Sequence, residues 1–356
     1  MHTHKFFSKT LLKWNDTENT RQMPWKGEKN PYRIWISEII LQQTRVQQGM
    51  EYYNRFIKTF PDIQSLTTTS EKKIYKLWEG LGYYSRCKNL IASARFIHNE
   101  LAGEFPKKYE EILALKGIGT YTASAIASFA YNQPFAVLDG NVFRVLSRFF
   151  GEEIPINTTE GKKFYGALAQ SLLDKKQPGN YNQALMDFGA VICKPAAPLC
   201  SQCLLRNKCV AFLTKKVSVL PVNTKSIRLK ERFFIYLFVE YKKQFYVHER
   251  SGKDIWQNLY EFILIETKKL FVESSLTVNE EIIKILNQAD FSIKSVSPKK
   301  TQKLTHQIIL CQFVHIEIKK PFRNKEYFLV NEKELNSLPF PKLIASYLAD
   351  KNVSLN

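Results

Sequence analysis

Four cysteines fall within seventeen residues, spaced Cys193-x6-Cys200-x2-Cys203-x5-Cys209. In a reducing compartment, thiols this dense ligate metal rather than pair as disulfides, and the set suits a zinc ion or an iron–sulfur cubane. Two carboxylates offer a different chemistry. Asp139 follows the short apolar run of "FAVLDGNVFRVLSRFF", at the start of an amphipathic helix pattern. An aspartate there is ordinarily an N-cap. Glu38 lies in "IWISEIILQQTRV" beside Trp35, Ile36, Ile39 and Ile40. On most helices it would be a solvated charge, but apolar neighbours destabilise its ionised form and leave it able to donate a proton near neutral pH.

The stretch "LKGIGTYTAS", about twenty residues before Asp139, gives that carboxylate a context. "YEEILAL" and "YTASAIASFAY" read as helices joined by a turn carrying Gly117 and Gly119. Such a turn frees the backbone and leaves amide N–H groups at a helix N-terminus, where a phosphate fits. An ordinary helix–helix turn is the plainer alternative. If the hairpin holds a phosphate, Asp139 can meet the carbon of the attached sugar.

The elements that position these residues change character along the chain. To about residue 212, "DIQSLTTTSEKKIYKLWEGLG", "RCKNLIASARFIHNELAGEFP" and "NTTEGKKFYGALAQSLL" carry apolar residues at helical spacing between Gly and Pro breaks, predicting an all-α domain over 1–212. A linker is expected at 213–231, with Pro221 and several cations. Beyond it "RFFIYLFVEY", "QFYVHER", "IILCQFVHIEI" and "EYFLV" read as strands, and 278–289 and 341–350 as helices, giving a smaller α+β domain over 232–356.

Lys plus Arg number 52 against 33 Asp plus Glu, a net charge of +19 that favours a polyanionic partner over an acidic metabolite. Scattered Lys-Lys doublets temper this, since a lysine-rich composition would also produce it. No apolar run is long enough for a membrane span and the N-terminus is too polar for a signal peptide, so an intracellular, cytoplasmic protein without a membrane partner is expected.

The hairpin, "LDGNV" and the cysteine spacing together resemble the endonuclease III superfamily of DNA glycosylases over residues 5–212. The resemblance implies a catalytic Asp139 beside the anomeric carbon of a flipped nucleotide. It also implies a [4Fe–4S] cluster on Cys193, Cys200, Cys203 and Cys209, with Lys194, Arg206 and Lys208 toward DNA phosphates. Strand-cutting members carry a nucleophilic lysine where this chain has Tyr121, which cannot form a Schiff base. The pattern therefore resembles the adenine DNA glycosylases of the MutY type, which remove adenine opposite 8-oxoguanine. This implies Glu38 as the acid at adenine N7, with Tyr121 and Asn141 ordering the carboxyls. Arg21, Met23 and Trp25 of "RQMPWK" and Gln183 of "NQALMDFGA" would wall the adenine pocket, while Gln43 and Tyr83 intrude beside the opposite base. Lys26 stands where many relatives have arginine. One of Tyr83 and Tyr84 is expected in the core, as are Cys87 and Cys311.

"DIWQNLYEFILIE" and "KLTHQIIL" resemble the Nudix-related C-terminal domain of the same glycosylases, without the Arg-Glu-x-x-Glu-Glu series that binds magnesium in Nudix hydrolases. Recognition rather than hydrolysis is expected there. Leu304-Thr305-His306 replaces the Phe-Ser-His of many relatives, and the Thr305 hydroxyl can accept from the N7–H peculiar to 8-oxoguanine, with His306 beside it. The resemblance thus implies a monomer acting on double-stranded DNA that contains adenine opposite 8-oxoguanine. The rivals are a bifunctional endonuclease III-like glycosylase/lyase, disfavoured by Tyr121, and a catalytically silent DNA-binding relative, disfavoured by the presence of both Glu38 and Asp139.

Overall fold

The computed structural model describes residues 2–224, 229–270, 280–286 and 290–351. The chain forms two compact units, Met1–Thr68 with Asn89–Lys225, and Thr69–Lys88 with Ser226–Asn356. This differs from two continuous segments joined at 213–231. Residues 213–224 stay with the first unit, where the Ile156 N–H donates to Val222 O at 3.0 Å and the Thr224 N–H to Asn157 Oδ1 at 2.9 Å. Residues 225–228 of the expected linker lie outside the described residues.

The described residues of the first unit carry helices and no strand. Helix Gly140–Phe150 is its centre: Val142, Val145, Leu146 and Phe149 share a core with Phe7, Leu11 and Trp14 of helix His2–Thr17 and with Tyr181, Leu185 and Phe188 of helix Pro178–Val191. Its polar residues Arg144, Ser147 and Arg148 are buried as well, so each must find partners inside. The hairpin joins helices Tyr109–Ala114 and Thr120–Tyr131. Gly117 takes φ +82°, and a Cβ there would stand 2.6 Å from that of Asn89. Gly119 is extended, with open space around it. Only the first glycine is therefore demanded by the backbone.

The second unit is built on one mixed sheet of β1 (Lys230–Tyr241), β2 (Gln244–Glu249), β3 (Tyr260–Glu261), β4 (Ile263–Thr267), β5 (Phe291–Val296), β6 (Lys300–Lys303), β7 (Gln307–Ile318) and β8 (Phe328–Asn331). β1 pairs parallel with β7 and antiparallel with β2 and β4; β7 also pairs antiparallel with β5 and β6, and β2 with β3 and β8. Strand alternation gives the sheet two apolar faces. Ile235, Leu237 and Val239 share one core with Ile282 of helix Glu280–Ile285. On the other face Phe238 and Phe313 meet Tyr347 of helix Lys342–Asp350, and Phe313 stacks on it at 4.1 Å. These two helices match the expected 278–289 and 341–350; residues 278, 279 and 287–289 lie outside the described residues.

Residues 69–88 join this unit through specific bonds. The Tyr84 hydroxyl donates to Phe340 O at 3.2 Å, Lys76 Nζ to Leu338 O at 3.0 Å, and the Asn258 amide to the Tyr75 hydroxyl at 3.0 Å. Cys87 and Cys311 are both buried.

Candidate active site

Glu38 lies on helix Pro31–Leu41, which starts cleanly because Pro31 occupies its first turn and Asn30 caps it, accepting from the Arg33 N–H. The apolar residues around Glu38 carry its carboxyl inward, where it is 5 % exposed. Burial pushes its pKa up to about 7; a hydrogen bond from the Tyr121 hydroxyl opposes the rise and the nearby Asp139 charge adds to it. Burial also carries the Tyr121 phenol well above its usual range.

Asp139 is the N-cap of helix Gly140–Phe150, its Oδ1 accepting from the Val142 N–H at 2.7 Å. The plain structural role and a place in the site therefore coexist. Its Oδ2 accepts from Asn141 Nδ2 at 2.7 Å. Burial raises its pKa, while the Val142 and Asn141 bonds and the Arg144 charge pull the other way. Arg144 donates to Asn141 Oδ1 at 2.8 Å, to Gly189 O at 2.7 Å and to Cys193 O at 2.7 Å. Gly189 permits this approach, since a Cβ on it would sit 2.7 Å from that of Asn141.

Both carboxyls line one cavity of about 670 Å³, together with Tyr121 and Asn141. Arg21, Met23, Trp25, Gln43 and Gln183 line it too. Gln43 is held at φ +57°, an uncommon conformation for a side chain to bear. Asp187, which the sequence reading missed, organises one wall without exposing any of its side chain. It accepts from Arg21 at 2.6 Å, Gln183 at 2.9 Å, Asn19 at 2.9 Å and Lys26 at 3.1 Å. The available signal was its place four residues after Gln183, on the same helix face.

Gly117 and Gly119 do not line this cavity. Tyr83, Thr305 and His306 belong to the second unit. Tyr84 is buried, whereas Tyr83 is 42 % exposed, with φ +48° and its ring 5.4 Å from the Arg86 guanidinium. The Tyr83 and Thr305 hydroxyls are 3.4 Å apart. Leu304-Thr305-His306 forms the turn between β6 and β7, so Thr305 and His306 do not alternate along a strand.

The four cysteines ring a small apolar cavity with Arg148, Leu199 and Phe212. Burial raises the Cys193, Cys203 and Cys209 thiols, Cys203 to about 12, so a bound cation is what would ionise them. Among the described residues no three Cys, His, Asp or Glu side chains gather closely enough to hold one metal ion. On the same loop Lys208 sits 4.2 Å over the Phe6 ring and Arg206 5.6 Å over that of Phe212. Among the described residues no helix is long and apolar enough to cross a membrane.

A helical unit with this hairpin, and a cavity holding two carboxyls in unequal settings, define the class of the base-excision glycosylases. The family profile described as HhH-GPD superfamily base excision DNA repair protein matches residues 36–161, and that described as NUDIX domain matches 235–350. The adenine DNA glycosylase of Buchnera aphidicola subsp. Baizongia pistaciae is 33 % identical over 94 % of both chains. That of Buchnera aphidicola subsp. Schizaphis graminum is 36 % identical over 75 % of this chain and 77 % of its own. Among solved structures, a thermostable thymine-DNA glycosylase is 30 % identical with a TM-score of 0.55, covering 59 % of this chain and 97 % of its own. A non-covalent endonuclease III–DNA complex, 17 % identical with a TM-score of 0.52 over 60 % of this chain and 97 % of that one, shares the fold. The chain belongs to the adenine DNA glycosylase family.

Proposed function

We propose that the protein is a monofunctional glycosylase that hydrolyses the N-glycosidic bond of adenine opposite 8-oxoguanine or guanine in double-stranded DNA, acting as a monomer. The observation that carries this reading is the pair Glu38 and Asp139 in one cavity with unequal surroundings. Glu38, with its pKa pushed to about 7, keeps a proton to give to adenine N7. Asp139, better supplied with N–H donors, is the member that ionises first and faces the positive charge growing at C1′ as the C1′–N9 bond breaks. The proton leaves with adenine, and the Glu38 carboxylate then takes one from the water that adds to C1′. Tyr121 orders Glu38 and Asn141 orders Asp139. A phenol at Tyr121 forms no Schiff base, so the backbone is left intact.

The adenine reaches the cavity by flipping, where Arg21, Met23, Trp25 and Gln183 wall it. Gln43 and Tyr83 intrude into the stack, and the Gly117–Gly119 turn grips a phosphate. Cys193, Cys200, Cys203 and Cys209 would hold a [4Fe–4S] cluster, whose role there would be structural, and Lys194, Arg206 and Lys208 on the same loop contact DNA phosphates. A single Cys-x-x-Cys flanked by longer gaps suits four thiolates around a cubane better than a zinc ribbon, which pairs two separated Cys-x-x-Cys knuckles. In the second unit, Thr305, next to His306, accepts from the N7–H of 8-oxoguanine.

The test is a duplex with adenine opposite 8-oxoguanine, assayed for strand breakage with and without alkali. Breakage only after alkali is expected. Breakage without alkali would favour a lyase, and no product from iron-loaded protein would favour a silent DNA-binding relative.

A further inference from the structure

Arg148 is 3 % exposed and its guanidinium joins two separate stretches of chain, residues 193–195 and Leu220. On one side Nη1 donates to Lys194 O at 2.6 Å and approaches Cys193 Sγ at 3.6 Å, while Nη2 donates to Pro195 O at 2.9 Å. On the other, Nε donates to the carbonyl of buried Leu220 at 2.9 Å. Leu220 opens a short segment tied to the loop after the Arg148 helix: Val222 O accepts from the Ile156 N–H at 3.0 Å, and the Asn157 side-chain amide donates to Thr224 Oγ1 at 2.7 Å.

We propose that Arg148 is a positioning residue that links cluster occupancy at Cys193 to the order of segment 220–224, so that loosening either one loosens the other. The inference rests on the four cysteines holding an iron–sulfur cluster. A guanidinium presents its donors in one rigid plane, so it cannot follow one carbonyl set without leaving the other. When residues 193–195 shift on loss of the cluster, a buried cation is stripped of three partners at once. Restoring them requires Arg148 to turn away from Leu220 O, because a buried charge with unmet donors is strongly disfavoured. Coupling of this kind is reciprocal: whatever the loop does to the segment, the segment does to the loop.

The test uses the full iron-loaded protein. It reads iron transfer to a chelator and hydrogen exchange at the amides of residues 222–224. Asn157→Ala touches neither the cysteines nor Arg148, and it loosens the segment from the far side. It is expected to speed iron release on the order of fivefold. In an Arg148→Lys background the same change is expected to add nothing further, because the fork that transmits it is gone. Iron release from Asn157→Ala at the wild-type rate would overturn the proposal, as would an undiminished Asn157→Ala effect in Arg148→Lys. Protein that purifies without iron, or with zinc instead, would sink the cluster reading itself and this inference with it. That failure is visible in the metal analysis before any variant is compared.

Discussion

Asn141 donates its side-chain amide to Asp139 Oδ2 at 2.7 Å, while its own Oδ1 accepts from Arg144 at 2.8 Å. The amide is thereby fixed with its N–H₂ toward the carboxylate, which it holds in one orientation and whose charged form it favours against the effect of burial. A hydrogen bond to a charged group contributes about 2 kcal/mol, or roughly thirtyfold in rate if it is realised at the transition state. Asn141→Ala should slow single-turnover excision by about that factor, and Asp139→Asn should abolish it. An unimpaired Asn141→Ala would remove Asn141 from its ordering role.

The unequal pair sets a pH dependence. With Glu38 as the proposed acid and Asp139 as the proposed carboxylate, the rate should fall as pH rises through about 7 and fall again once acid protonates Asp139. Stability carries the same signature. Glu38 has a folded pKa raised from 4.5 to about 7, so the folded state binds the extra proton and stability is lost as pH climbs through that window. The full loss is on the order of 3 kcal/mol. Denaturation at pH 5 and pH 8 should show Glu38→Gln gaining on the wild type at the higher pH. Equal differences at both would contradict the raised pKa.

Tyr121 acts on the same limb with a defined sign. Its hydroxyl hydrogen-bonds Glu38 and lowers that carboxyl's pKa against the effect of burial. Tyr121→Phe keeps the ring and removes this opposition, so the alkaline limb of the rate profile should move to higher pH. A limb that stays in place, or moves down, would deny the contact its role.

Much of this was legible in the residues and some was not, for physical reasons. Glu38 among Trp35, Ile36, Ile39 and Ile40 announced a buried acid because burial follows from apolar company on a helix. β1, β2, β7 and β8 were readable as aromatic and β-branched runs. β5 and β6 were not, since "FSIKSV" and "KTQK" alternate exposed with half-buried residues, bury none fully, and carry little apolar signal. Helix Glu71–Trp78 shows an apolar face in its sequence, but that pattern says only that the face is covered. It does not say that "GLGYYSR" and this helix cluster with a sheet beginning 150 residues later. Asp187 went unread, because three of its four partners come from residues 19–26, far from it in sequence, and only Gln183 lies one helical turn away.

Those partners make Asp187 a test of the cavity wall. Asp187→Asn leaves Arg21 and Lys26 facing a neutral amide with nothing to balance them. Breaking a fully buried pair this way costs ~3–5 kcal/mol. Arg21 and Lys26 keep 23 % and 22 % of their side chains exposed, so water takes part of the burden. A loss of about 2–3 kcal/mol in urea unfolding is expected, with weaker substrate binding as Arg21 and Gln183 lose their anchor. Wild-type stability in the variant would show that the cluster is not a structural unit.

Thr305 tests the second unit separately. Its hydroxyl lies 3.4 Å from that of Tyr83, on a turn outside the strand ladder, where a base edge can reach it. Guanine presents a lone pair at N7 and 8-oxoguanine a proton, and a hydroxyl can answer either one by rotating. If Thr305 reads the lesion as proposed, discrimination would depend on which lone pair or proton Tyr83 leaves to it. Thr305→Val keeps the shape and removes the hydroxyl, so the preference for adenine opposite 8-oxoguanine over adenine opposite guanine should drop about tenfold, the worth of one hydrogen bond. Measured as a ratio of kcat/KM on the two duplexes, a drop from slower excision of the 8-oxoguanine pair supports the assignment. A ratio equal to the wild type's would move lesion reading away from Thr305.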